Sequence, residues 1–154
     1  MERILLATVY PNLNELKIFN FQQEIVSNHF TNKSSARFIF QQQITNLTLI
    51  NNDKRNMDDS LKAYTINVYA YILNFFKNLK NLSIIQPQWM SYPGLSLVDL
   101  PSSTFFSPIL THLSINVNTF DDCLHLLDGR LKRLIILSVI VYDVDNSSAT
   151  VHNM

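Results

Sequence analysis

The apolar positions of this chain fall into one short pattern that returns five times. It reads Pro-Asn-Leu-Asn-Glu-Leu-Lys-Ile at 11–18, Gln-Ile-Thr-Asn-Leu-Thr-Leu at 43–49 and Lys-Asn-Leu-Lys-Asn-Leu-Ser-Ile at 77–84. Two further copies are Ile-Leu-Thr-His-Leu-Ser-Ile at 109–115 and Arg-Leu-Ile-Ile-Leu-Ser-Val at 133–139. Each has the form L-x-x-L-x-L, with Ile or Val standing in for Leu. The second Leu of each copy is Leu16, Leu47, Leu82, Leu113 and Leu137, at gaps of 31, 35, 31 and 24 residues. Each gap has room for one strand, one turn and one helix.

Alternation inside the pattern predicts a strand, because successive side chains point to opposite faces. Leu16 and Ile18 then face one way, into a core, and Glu15, Lys17 and Phe19 face the other. The first Leu of each copy packs where the chain enters its strand. No single copy can bury its apolar face alone, so the copies must stack. Stacking in one direction gives an α/β fold of about five parallel strands, with helical or irregular connectors on the opposite side. Residues 1–154 read as a single domain of this kind.

Two connectors carry helical periodicity. Over 58–76, Asp58, Asp59 or Ser60 can cap a helix whose apolar face is Leu61, Tyr64, Val68, Ile72 and Phe75. A second helix begins at Thr119, with Asp122 completing an approximate capping box. Its expected apolar face is Phe120, Cys123, Leu124, Leu127 and Leu131, with His125 on the polar side and Gly129 available as an early C-cap. One or two short helices are expected between Phe21 and Gln43, with a break near Asn32–Ser35. The connector from Gln86 to Pro108 holds four prolines and Gly94, so it should be mostly irregular. Its Trp89, Tyr92, Leu95, Leu97, Phe105 and Phe106 should still pack on the core.

These copies resemble the irregular leucine-rich repeats that follow an F-box in substrate-recognition subunits of ubiquitin ligases. The phrases Tyr-Pro-Asn-Leu-Asn-Glu-Leu-Lys-Ile and Phe-Lys-Asn-Leu-Lys-Asn-Leu-Ser-Ile carry the likeness, which spans about residues 10 to 142. The resemblance implies a solenoid with its strands on the concave side. It also implies a protein-protein interaction module, the substrate-recognition part of a ligase adaptor, with another protein as partner. No F-box-like helical segment precedes the Pro11 copy, and neither end reads as a polar capping repeat. The last strand, expected from Leu134 to Val144, would leave an apolar edge. The chain therefore reads as a recognition half or a fragment. The alternative reading is a scaffolding or truncated fragment that self-associates through open solenoid ends.

Composition narrows the partner. The formal net charge is zero and charged residues are 16% of the chain, so no electrostatic footprint for nucleic acid is present. The densest basic cluster, Arg130, Lys132 and Arg133, reads as cations near a helix C-terminus. The lone cysteine, Cys123, leaves no internal disulfide and favours an intracellular setting, cytoplasmic or nuclear. No apolar run reaches the length of a membrane span, and Ile4–Val9 is too short for a secretory leader. Four N-x-S/T triplets begin at Asn32, Asn46, Asn81 and Asn146, as chance allows in a chain so rich in Asn, Ser and Thr.

Catalytic chemistry has no sequence signature here. The histidines, His29, His112, His125 and His152, are far apart, and no His-x-x-x-His or Cys-x-x-Cys spacing occurs. Cys123 reads as an inert thiol on the apolar face of its helix, and Asp121 with Asp122 as first-turn carboxylates. With Gly94 and Gly129 the only glycines, glycine-rich phosphate loops are excluded. No enzyme activity and no cofactor are expected.

The strand alignment yields the candidate binding surface. Three columns should face outward on the concave side. One is Glu15, Asn46, Asn81, His112 and Ile136. The middle one is Lys17, Thr48, Ser83, Ser114 and Ser138. The third is Phe19, Ile50, Ile85, Asn116 and Ile140. A large apolar column beside a small hydroxylated one is what a protein-binding strip would look like. The competing expectation is that the third column, at the strand ends, is buried under a loop.

Overall fold

The computed structural model describes residues 10–19, 40–50, 63, 65–85 and 94–143. All five repeat copies form strands: β1 (Glu15–Phe19), β2 (Asn46–Ile50), β3 (Asn81–Ile85), β4 (His112–Thr119) and β5 (Ile136–Asp143). They make one sheet in the order β1-β2-β3-β4-β5, every pair parallel. The register matches equivalent repeat positions, Leu16 beside Leu47, Leu82, Leu113 and Leu137 in turn. Slipping any strand by one residue would turn its leucines to the wrong face, so the hydrophobic pattern itself fixes this pairing.

Strands β2 to β5 each begin with the same device. The Asn14 carbonyl accepts from the amides of Thr45 and Asn46, and the Thr45 carbonyl from those of Lys80 and Asn81. Lys80 does the same for Thr111 and His112, and Thr111 for Ile135 and Ile136. The Thr45 and Thr111 hydroxyls add a bond to the preceding carbonyl, at 3.2 and 3.0 Å. The first Leu of the pattern sits just inside this staple, and Ile44, Leu79 and Leu110 are fully buried there.

The core lies on the sheet face carrying the alternating leucines. Leu47, Leu49, Leu82, Ile84, Leu113, Ile115 and Val117 are buried, whereas Leu16 and Ile18 on β1 and Leu137, Val139 and Val141 on β5 are half-buried. The β2–β3 connector covers this face with a π-helical stretch, Thr65–Ala70, running into α1 (Tyr71–Phe75). Val68, Ile72 and Phe75 are buried as their spacing requires, while the expected caps and Leu61 and Tyr64 lie outside the described residues. Of the helices expected between Phe21 and Gln43, only residues 40–43 are described, and they are helical.

The β3–β4 connector is irregular, as its prolines require, and packs deeply. Leu95, Leu97 and Phe105 are buried, Phe106 is exposed, and Trp89 and Tyr92 lie outside the described residues. Leu95 forms a parallel bridge to Val117, its amide donating to the Asn116 carbonyl at 2.9 Å and its carbonyl accepting from Asn118 at 3.0 Å. It takes over as neighbour of β4 where pairing with β3 stops, at Ser83 beside Ser114. Gly94 makes this approach feasible: a Cβ there would stand 2.6 Å from the Val117 carbonyl carbon.

The β4–β5 connector holds α2 (Phe120–Leu126), opened by a full capping box between Thr119 and Asp122. The inward face differs from the expected one. Asp122 and Leu126 are buried and Leu131 is too, but Phe120, Leu124 and Leu127 are exposed and Cys123 and His125 half-buried. The cause is the Asp122 carboxylate. One oxygen accepts from the Leu97 and Val98 amides at 2.5 and 3.2 Å, and the other from the Thr119 amide and hydroxyl at 3.0 and 2.8 Å. Satisfying those buried amides turns the helix so that a charge, not Phe120, faces in. Gly129, at φ +98°, lies in the turns beyond the helix.

Arg130 also departs from expectation. Its side chain is only 1% exposed and makes a two-pronged pair with Asp128, Nε at 3.0 Å and the terminal nitrogen at 2.6 Å. Its carbonyl accepts from the Ser107 amide, tying the turn after α2 to the irregular connector. The Arg130 hydrogen bond, the main cause, holds the Asp128 carboxyl below its ordinary range.

Candidate functional site

The outward face of the sheet carries the first two sequence columns side by side. Glu15, Asn46, Asn81, His112 and Ile136 occupy successive paired positions, and so do Lys17, Thr48, Ser83, Ser114 and Ser138. Between them runs a shallow trough of about 400 Å³, lined by Asn46, Thr48, Asn81, Ser83, His112 and Ser114, with Glu15 at one end and Ile136 and Ser138 at the other.

Its polar groups are partly tied to one another. The Asn81 side-chain amide donates to the Asn46 side-chain oxygen, bridging β2 and β3, and the Asn81 oxygen is buried without a partner. The Thr111 hydroxyl donates its one proton to the Lys80 carbonyl, so its 2.8 Å contact with His112 Nδ1 takes a proton from the ring. Glu15 and Lys17 pair at 3.1 Å, both more than half exposed, and so contribute little to stability.

The third column is not continuous. Phe19, Ile85 and Ile140 are exposed at 63%, 47% and 50%, Ile50 is half-buried, and Asn116 is 5% exposed. Asn116 was expected among the outward, accessible positions. The Leu95 segment replaces β3 beside β4 at that level, and the Asn116 side chain donates to the Tyr142 hydroxyl at 2.6 Å. Ile85 and Asn116 are consequently not paired, and the apolar column splits into a Phe19, Ile50 and Ile85 part and an Ile140 part.

The repeat pattern places Ile136 and Ile140 outward and expects an apolar edge at the last strand, but it does not extend that apolar surface to Ile135 or to the helix before it. Ile135 and Ile136 are exposed beside Ile140, and so are Phe120 and Leu124 on α2 and Leu127 at its C-terminal cap. The three isoleucines lie in the uncharged run 134–142, whereas nothing in the spacing of 120–127 marks its apolar residues as exposed. Among the described residues, no group of three or more His, Cys, Asp or Glu stands close enough to hold a metal ion. Among the same residues, no helix is long and apolar enough to cross a membrane. Comparison with protein-family models, curated proteins and solved structures finds no match.

Proposed function

We propose that this sheet is the concave wall of a leucine-rich-repeat-like solenoid, and that the protein is a protein-protein interaction module reading its partner through the outward face. One observation carries this reading: paired rows of small amide and hydroxyl side chains flank exposed Phe19 and Ile85 on the same face. Such a face offers directional hydrogen bonds beside apolar contact, the anatomy of a recognition patch. The same staple at the starts of β2 to β5 supports the repeat architecture. The likeness of the Pro11 and Lys77 copies to F-box-associated repeats extends the proposal to substrate recognition in a cytoplasmic or nuclear ubiquitin-ligase adaptor.

The test is a pair of substitutions, Ile50→Asp with Ile85→Asp, in a quantitative pull-down read by mass spectrometry. Partners held by the wild type should be lost at least tenfold, while the thermal midpoint moves by only a few degrees. An unchanged partner set, or collapse of the fold, overturns the strip.

A further inference from the structure

The two edges of the sheet differ in chemistry. The β1 edge carries Glu15 and Lys17, exposed charges of the kind that discourage strand addition. The β5 edge is uncharged from Leu134 to Tyr142, with Asp143 as the only charge, at its last position. Among the described residues no strand pairs with the outer side of β5. Its core-facing Leu137, Val139 and Val141 stay half-buried where the equivalent leucines of β2 to β4 are buried. The apolar surface continues onto α2, which packs against β4 and β5 and leaves Phe120, Leu124 and Leu127 exposed.

The backbone direction is fixed too. The Ile136 amide donates toward β4, to the Thr111 carbonyl. In a parallel ladder alternate residues then turn their amide and carbonyl the other way, so Leu137, Val139 and Val141 direct theirs to the open edge. A strand that pairs with them would be uncharged over the paired length and carry apolar residues at alternate positions. β5 of a second copy meets every condition, whereas β1 is shorter and charged.

We infer that the β5 edge is a self-association surface, joining two copies through antiparallel β5 strands about a two-fold axis at Val139. In that register Leu137 faces Val141 of the second copy, and Val139 faces its own counterpart, each exchanging backbone hydrogen bonds. Ser138 faces Ile140, and Ile136 faces Tyr142. Core-facing residues meet core-facing residues, so the two sheets run on as one and the two α2 helices lie on the same side of it. The contact is isologous, and the charges on β1 stop growth beyond two copies. One strand and part of a helix layer lie at the lower end of specific interfaces, the size of a reversible dimer.

Sedimentation velocity from about 1 to 300 μM is the test. The wild type should pass from monomer to dimer and stop there. Ser138→Lys with Ile140→Lys places like charges directly opposite at the solvent-exposed positions and should weaken the dimer at least tenfold. Ser138→Lys with Ile140→Glu makes the same pairs attractive and should restore it. In the wild type, the amides of Leu137, Val139 and Val141 should gain hydrogen-exchange protection only at dimer-forming concentration. A monomer throughout, growth past the dimer, insensitivity to both variants, or amides whose exchange ignores concentration would each overturn the inference.

Discussion

Asp122 shows how much one buried side chain can decide. Its carboxylate is fully buried yet accepts from four donors, two of them amides of the irregular connector. Asp122→Ala removes the carboxylate half of the capping box and leaves the Leu97 amide buried without a partner. The expected loss is about 3 kcal/mol, read as a lowered denaturant midpoint. Asp128 acts through pH. Its carboxyl is held below its ordinary value of 3.8 by the Arg130 hydrogen bond. The stability it contributes is therefore fully present above pH 3.8 and is lost as the pH falls through its lower folded-state value. Asp128→Asn should cost about 2 kcal/mol at neutral pH, since it strips a buried arginine of its counter-charge. Unfolding curves of the two proteins should converge below pH 3.8.

At the scale of elements, the strands were legible and the connectors less so. L-x-x-L-x-L states which residues face the core, and register follows from stacking like on like. The irregular connector has no such period. Its Leu95 found a place beside Val117 because Gly94 lets two backbones approach, a fact about space rather than pattern. Gly94→Ala tests this. A methyl group 2.6 Å from the Val117 carbonyl carbon must push the connector off β4. The expected cost is about 2–3 kcal/mol, with faster amide exchange at Leu95 and Asn118. The helix after Thr119 teaches the converse. Its capping box was readable, but helical spacing alone put Phe120 and Leu124 inside. A carboxylate serving distant amides won, because an unsatisfied buried amide costs as much as an exposed leucine forgoes.

For the whole molecule, the first two outward columns could be drawn from the sequence because they share the register of the buried leucines. The third could not, since pairing between β3 and β4 ends before reaching it, and Asn116 is covered from a segment that the repeat does not include. The apolar end around β5 was visible as an uncharged run but had no strand assigned to face it. The repeated staple has a consequence for how the chain is built during synthesis. From β2 onward, each strand start is held by a carbonyl of the strand start before it, Asn14, Thr45, Lys80 and Thr111 in order. A newly made copy thus finds its docking groups already exposed on the chain behind it. No loop longer than one repeat has to close. Order can spread in the direction of translation, each copy serving as the template on which the next one sets.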